Sequence, residues 1–322
     1  MRRREFIALL CATWFVRTRD VHARPQEKTY RIGILSAQRR PSEPVLMQAL
    51  AARGYVEGRN TFWMSRSAEG DYDRVPALAS ELIALNPDVI IAAGGAAAEA
   101  LTRQTATTPI VLWEVGDPTG IGITNVARPG GNVTGVTELS TELSIKRLEL
   151  LKETVPGAVR VAILWNASEQ SMDLRARAVA TTAPRLGISV IPLPVRSVED
   201  IDSALATLVS NPVDAVMVVT DPMTSRKERA TIDFLTDHRL PSMYEYPRAV
   251  RTGALLSYGP DFGDLAQIAA DYVDRILKGA KPGDLPIQAP SRLYLRINSK
   301  TAGRLGISLP AEILLRADEV IE

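Results

Sequence analysis

Short, almost continuously apolar segments alternate with segments of helical spacing along most of the chain, and this alternation constrains the fold more than any other feature. Strands buried on both faces of a parallel sheet have this continuous apolar character. Between such segments apolar residues recur at helical spacing, as at Val198, Ile201, Leu205 and Leu208. The alternation predicts βαβ units and an α/β fold with parallel sheets. The predicted strands are residues 32–35, 89–93, 110–115, 161–165, 188–193, 215–219 and 254–258.

The stretch from Asp117 to Gly135 interrupts this alternation. It contains five glycines and two prolines, and it is too long for an ordinary connection between a strand and a helix. A chain of 322 residues has the length of about two domains of roughly 150 residues each. We therefore expect one α/β domain to end in this stretch and a second to begin with a helix around residues 142–153.

The first 23 residues have the layout of an export signal. Three arginines at positions 2–4 precede a mostly apolar segment at residues 7–16, and small or apolar residues at 21–23 suit a signal peptidase. The sequence RREFI at residues 3–7 also resembles a twin-arginine signal. Cys11 lacks preceding small residues, so we expect no lipid anchor. The other interpretation is an ordinary N-terminal segment of a cytosolic protein.

Composition and motifs exclude several functional classes. The 38 basic and 37 acidic residues give a net charge of +1, so no basic excess is available to neutralise a nucleic acid. One cysteine and two histidines, of which only His238 follows the proposed signal, are too few for a structural zinc site or a disulfide framework. No glycine-rich nucleotide loop, P-loop or G-x-S-x-G motif is present. We therefore expect no enzyme activity, no cofactor and no metal.

Small and polar residues follow the predicted strands, at the sheet edge where α/β proteins bind ligands. Ser36 follows the first strand, and Gly95, Ala96 and Ala97 open the helix after residues 89–93. Free backbone N–H groups at a helix N-terminus attract anions such as carboxylates. The alternative interpretation of the glycine-alanine segment is a tight turn without a ligand.

The remaining strand ends carry acidic, amide and aromatic side chains. Carboxylates there are suited to an ammonium group, and aromatic rings to an apolar side chain. Each of these residues alone is also a common turn former, so the recurrence at strand ends carries the prediction. The candidate ligand-binding residues of this second group are Asp117, Trp165, Asn166, Thr220, Asp221, Tyr244 and Glu245.

Several motifs together resemble the solute-binding proteins of a bacterial ABC uptake family with the type I periplasmic-binding fold. The resemblance covers nearly the whole chain. The motifs are RREFI at 3–7, GDP at 116–118, ARPGGNVTG at 127–135, KRLELLK at 146–152, GALLSYGP at 253–260, ILKGAKPGDLP at 276–286 and LRADEVIE at 315–322.

The resemblance implies two Rossmann-like lobes that are joined by a three-segment hinge and capture a ligand between them. On this basis the first lobe comprises residues 30–134 and 258–289, and the second residues 135–257 and 290–322. The resemblance also implies partnership with ABC permease subunits in the inner membrane and a periplasmic location. We expect a monomer.

These observations lead to one favoured function and two alternatives. The favoured function is the extracytoplasmic solute-binding component of an ABC importer, with an amino acid or a similar zwitterion as ligand. Its carboxylate would meet Ser36 and the N–H groups at 95–97, and its ammonium Asp221 or Glu245, with Asp117 assisting. Its side chain would lie near Trp165 and Tyr244. The alternatives are a ligand sensor of the same fold that signals to a membrane partner, and a cytosolic α/β enzyme.

Overall fold

The computed structural model describes residues 28–322. The proposed export signal at residues 1–23 therefore lies outside the described residues. Within the described part of the chain, no helix has the length and apolar character needed to cross a membrane.

The first sheet has five parallel strands and a layer of helices on each face. The strand order is β2-β1-β3-β4-β5. Helices α1 and α10 cover one face and α2 and α3 the other. The elements are β1 (Tyr30–Ser36), α1 (Glu43–Ala52), β2 (Thr61–Ser67), α2 (Val75–Ala84), β3 (Val89–Ala93), α3 (Gly95–Gln104), β4 (Ile110–Val115), β5 (Val133–Thr137) and, much later in the chain, α10 (Phe262–Leu277).

The second sheet has seven strands in the order β12-β11-β10-β9-β8-β6-β7. Helices α4, α5, α11 and α12 pack on one face, and α6, α8 and α9 on the other. The strands are β6 (Arg160–Asn166), β7 (Ser189–Val195), β8 (Ala215–Val218), β9 (Ser242–Tyr244), β10 (Leu256–Gly259), β11 (Tyr294–Asn298) and β12 (Glu319–Ile321). The helices are α4 (Ser140–Thr154), α5 (Gln170–Thr182), α6 (Asp200–Ser210), α7 (Pro222–Ser225), α8 (Glu228–Asp237), α9 (Pro247–Thr252), α11 (Ser299–Leu305) and α12 (Ala311–Arg316).

The expected α/β class with parallel sheets is confirmed, with one exception. Strand β11 pairs antiparallel with β10, because the chain returns from the first sheet before it forms β11. The strands at 89–93 and 110–115 have the expected bounds, whereas β2, β5, β11 and β12 were not anticipated, and β9 was anticipated only as a strand end at Tyr244 and Glu245. Strand β2 lies at the edge of its sheet and is partly exposed, so its sequence lacks the continuous apolar character used to find strands.

The chain passes between the two sheets three times: after β5, after β10 and between α10 and β11. The expected boundaries at 134 and 258 fall inside strands, since β5 continues to Thr137 in the first sheet and β10 to Gly259 in the second. The boundary at 134 falls inside β5 because the sequence pattern indicates a loop throughout the glycine-rich stretch that contains this strand.

Candidate functional site

A cavity of about 540 Å³ lies between the two sheets and is bordered by residues of both. The first sheet contributes the segment after β1, the start of α3 and the end of β4. The second contributes the start of α5, the segment around α7 and the start of α9. The cavity thus lies at the carboxyl ends of parallel strands, where α/β sheets bind their ligands.

Arg40 forms the main positive charge on the wall from the first sheet. Its Nη2 donates a hydrogen bond of 3.1 Å to the carbonyl oxygen of Ala93, at the end of β3. Gly94 makes this approach possible, because a Cβ at that position would lie 2.0 Å from Nη2. The Arg40 Nε is buried and has no hydrogen-bond partner among residues 28–322. The guanidinium therefore lies beside the N-terminus of α3, and together they favour an anion.

Glu114 adds a buried carboxyl group next to this guanidinium. It is 7% exposed and has a left-handed backbone with φ +53°, where the register of β4 against β5 shifts. Such irregularities redirect side chains and recur at binding sites. Its carboxyl group accepts a hydrogen bond from the Ser42 hydroxyl and lies 3.4 Å from Nη1 of Arg40. Burial raises the pKa of Glu114 to about 7, with Arg40 lowering the pKa and Glu138 raising it.

Glu138 provides a second carboxylate on the same wall of the cavity. Its backbone N–H donates to the carbonyl oxygen of Val115, which fixes it beside the end of β4. Its Oε2 accepts hydrogen bonds from Ser140 at 3.1 Å and from the Tyr246 hydroxyl at 2.8 Å. The side chain lines the cavity, the residue is 3% exposed, and Oε1 has no partner in the described part of the chain. A buried acceptor without a partner is costly, so this oxygen is suited to a ligand donor.

Arg175 extends from α5 on the second sheet toward the first. A Cβ on Gly116, at the end of β4, would lie 1.9 Å from its Nη2, so the guanidinium contacts the opposite lobe directly. Its Nη1 lies 3.2 Å from a carboxylate oxygen of Glu245. The other oxygen of Glu245 lies 3.0 Å from Arg147, whose Nε donates to the carbonyl oxygen of Tyr258 near the second passage between the sheets.

Aromatic side chains form the less polar part of the cavity. Tyr246 stacks on Phe262 with ring centroids 4.7 Å apart, which joins the two sides of the cleft. Tyr72 lines the cavity from the first sheet. Burial raises the pKa of the Tyr72 hydroxyl, and Asp221 and Glu169 from the second sheet raise it further. These rings give the cavity an apolar surface that is suited to an apolar or aromatic ligand group.

Four of the residues singled out in the sequence lie on the cavity wall, namely Gly95, Ala96, Thr220 and Asp221. Asp221 already has protein partners on both oxygens. Its Oδ1 accepts from the N–H of Thr224 at 2.8 Å, which caps α7, and its Oδ2 accepts from Asn166 at 2.7 Å. The Thr220 hydroxyl is buried without a partner among the described residues.

The other seven do not line this cavity. Ser36 and Ala97 are buried, and residues 37–42 line the cavity in place of Ser36. Asp117 caps the turn that follows it and borders a smaller neighbouring cavity.

Three of these seven residues, Asn166, Trp165 and Tyr244, make contacts within the second lobe instead. Asn166 orients Asp221, while Trp165 and Tyr244 pack in the two cores of the second lobe. Glu245 pairs with Arg147 and Arg175 and does not line the cavity, so its two oxygens face two guanidinium groups rather than the place expected for a ligand ammonium.

The sequence analysis missed Arg40, Glu114, Glu138, Arg175 and the aromatic pair. A signal existed for Glu114, because it is the one charged residue in the apolar segment 110–115. Glu138 follows β5, which the sequence pattern does not reveal as a strand, and Arg175 lies within a helix rather than at a strand end. Among residues 28–322, no group of histidine, cysteine and acidic residues is suited to hold a metal ion.

Replacing Glu114 should change the pH dependence of stability. The folded protein retains the Glu114 proton up to about pH 7, whereas the ordinary pKa is 4.5. Its contribution to stability is therefore fully present below pH 4.5 and is lost as the pH rises through 7. Since one pKa unit corresponds to about 1.4 kcal/mol, the loss is about 3 kcal/mol. Urea unfolding at pH 5 and pH 8.5 should show this loss in the wild type and not in Glu114→Gln; parallel pH profiles would contradict it.

The comparisons with known proteins agree with this architecture. The family model for ABC transporter substrate binding proteins matches residues 43–321, so the chain belongs to that family. A conserved domain protein from Vibrio cholerae O1 biovar eltor has 28% identity and a TM-score of 0.84, over 91% of this chain and 100% of that chain. The crystal structure of an ABC domain in complex with L-Trp from Streptococcus pneumonia has 27% identity and a TM-score of 0.82, with the same coverage.

A curated relative is the tyrosine-binding protein of Clostridioides difficile. It is 26% identical over 281 residues, which is 85% of this chain and 80% of that protein. Members of the family bind small molecules outside the cytoplasm and work with ABC permeases, and they are solute-binding proteins rather than enzymes.

Proposed function

We propose that this protein captures an aromatic L-α-amino acid between its two lobes and delivers it to the permease of an ABC importer. The observation that carries the proposal is the arrangement of the cavity wall. Arg40 and the start of α3 lie directly beside Glu114 and Glu138, and an aromatic surface is close by.

The spacing of the charges favours an α-amino acid over other zwitterions. The Arg40 guanidinium and the Glu114 carboxyl group are 3.4 Å apart. An α-amino acid carries its carboxylate and ammonium on one carbon atom, so both reach adjacent protein groups of opposite charge. A zwitterion with its charges several carbons apart could place only one of its charged groups beside this pair.

The rings of Tyr72, Tyr246 and Phe262 support an aromatic ligand side chain. Offset and edge-to-face aromatic contacts add to the free energy of simple burial. Two similar proteins support an aromatic amino acid as ligand. One is named a tyrosine-binding protein, and the crystal structure of the other contains L-Trp.

Capture requires the lobes to separate and close. We propose that the lobes are the two sheets with their helices and that the three passages between the sheets form the hinge. Arg175 against Gly116 then belongs to the closed arrangement, because it joins opposite lobes. Export through a twin-arginine signal at residues 1–23, a periplasmic location and a monomeric state complete the proposal.

Calorimetry with a panel of related compounds tests this function. We expect L-tryptophan, L-tyrosine or L-phenylalanine to bind more tightly than L-leucine. Tryptamine, which lacks the carboxylate, and indole-3-propionate, which lacks the ammonium, should bind at least about tenfold more weakly, because each loses a charge-assisted hydrogen bond. Arg40→Gln should weaken binding about ten- to a hundredfold.

Arg66→Gln is the matched control, since Arg66 pairs with Glu81 and does not line the cavity. If no α-amino acid raises the melting temperature or gives binding heat with the wild type, the proposed function is wrong.

A further inference from the structure

Two acidic side chains that the sequence analysis did not select share one wall of the cavity. Glu114 comes from the irregular end of β4, and Glu138 from the first residue after β5. Both line the cavity, and the N–H of Glu138 donates to the carbonyl oxygen of Val115, the residue after Glu114, which places the two residues side by side. Glu138 accordingly raises the pKa of Glu114. Two neighbouring carboxyl groups in a buried site repel each other when both are ionised, so a site of this kind lacks one positive charge.

We propose that Glu114 and Glu138 together hold the ammonium group of the ligand, and that Glu114 releases its proton when the ammonium binds. This inference rests on the proposed function, since it assigns the cationic end of the same ligand. It replaces Asp221 and Glu245, whose oxygens are taken by protein partners.

Glu138 is the primary acceptor for the ammonium group because one of its two carboxylate oxygens has no hydrogen-bond partner in the described part of the chain. Ser140 and Tyr246 hold Oε2 in place, while Oε1 has no partner among residues 28–322. An ammonium group has three N–H donors. One donor satisfies Oε1 of Glu138, which leaves others for a neighbouring oxygen of Glu114.

Glu114 differs from Glu138 in the state of its proton. The charged and titratable groups that face it are Arg40 from the segment before α1, Glu138 after β5 and Tyr246 before α9, and the Ser42 hydroxyl contacts it directly. Burial and Glu138 together outweigh Arg40, so the neutral acid is favoured below about pH 7. The arriving ammonium favours the carboxylate, and the proton passes to the buffer. No bond to carbon changes and no other reactant is needed.

The first experiment measures proton release. Calorimetry with L-tryptophan, or the tightest amino acid of the panel, is repeated in buffers of different ionisation enthalpy at pH 6 and pH 8.5. We expect wild type to release close to one proton per ligand at pH 6, because Glu114 is then about 90% protonated, and almost none at pH 8.5. Glu114→Gln should release none at either pH. At pH 6, equal proton release by wild type and Glu114→Gln, or no release by wild type, would overturn the proposal.

The second experiment measures which group recognises the ammonium. Glu138→Gln should weaken amino-acid binding about ten- to a hundredfold. It should also shrink the preference for L-tryptophan over indole-3-propionate by a similar factor, which a general disturbance of the site would not do. Glu142→Gln, an exposed acid in the first turn of α4, is the control and should change neither quantity.

The outcomes separate the two proposals. If wild type binds no α-amino acid, both fail. If wild type binds amino acids but Glu138→Gln keeps the full preference for the ammonium-bearing ligand, only the assignment of Glu114 and Glu138 fails. Circular dichroism and melting curves establish that each variant is folded.

Discussion

Glu245→Gln should destabilise the protein by about 3–5 kcal/mol, because it leaves two buried guanidinium groups without their counter-charge. Glu245 is 1% exposed and its two oxygens face Arg147 at 3.0 Å and Arg175 at 3.2 Å. Glutamine has nearly the same shape, so the loss reflects charge rather than a cavity. Urea unfolding of the ligand-free protein at pH 7 measures it.

Glu149→Gln provides a matched control on helix α4. Glu149 pairs with Lys146 at 2.7 Å, but both side chains are more than a third exposed. Solvent screens such pairs, so this substitution should cost less than about 1 kcal/mol. A similar loss for the two variants would mean that the buried triad of Glu245, Arg147 and Arg175 does not stabilise the fold.

Gly116→Ala should weaken ligand binding at least about tenfold, because it places a methyl group where the two lobes meet in the proposed closed arrangement and so lowers the population of that arrangement. A Cβ at this position would lie 1.9 Å from Nη2 and 3.0 Å from Cζ of Arg175. Arg175 has little freedom to move aside, since its guanidinium is held by Glu245. Calorimetry gives the affinity, and X-ray scattering with saturating ligand should show a larger radius of gyration than for wild type.

Gly120→Ala, four residues further along the same loop, is the control. A Cβ there would contact nothing within 4 Å. It should leave affinity and scattering unchanged. Wild-type affinity for Gly116→Ala would contradict the view that Arg175 meets Gly116 when the ligand is enclosed.

The alternation of apolar and helical segments was enough to predict the fold, because strands covered on both faces are apolar at nearly every position. Strands whose sequence is not apolar at nearly every position escaped this pattern. Strand β2 is an edge strand with an exposed Phe62, and β5 reads Val-Thr-Gly-Val-Thr within a glycine-rich stretch. Because β5 was not predicted as a strand, Glu138, which follows it directly, was not recognised as a residue at a strand end.

The site was harder to predict than the fold, because strand ends indicate only which edge of the sheet binds. They do not indicate which side chains turn toward the cavity and which are already paired. Asp221 and Glu245 have the expected residue type and position, yet Asn166, Thr224 and two arginines occupy their oxygens. These partners come from distant parts of the chain, and only the folded structure brings them together.

Helix α10 gives the protein an unusual order of assembly during synthesis. Strands β1–β5 have all been made by Thr137, but α10 begins only at Phe262 and supplies Leu265, Tyr272 and Val273 to the core beneath that sheet. Domains commonly fold as units in the order in which the ribosome makes them. Here the part of that face that α10 covers in the folded protein stays exposed until α10 has left the ribosome, so the first lobe completes its core only after most of the second lobe has been made.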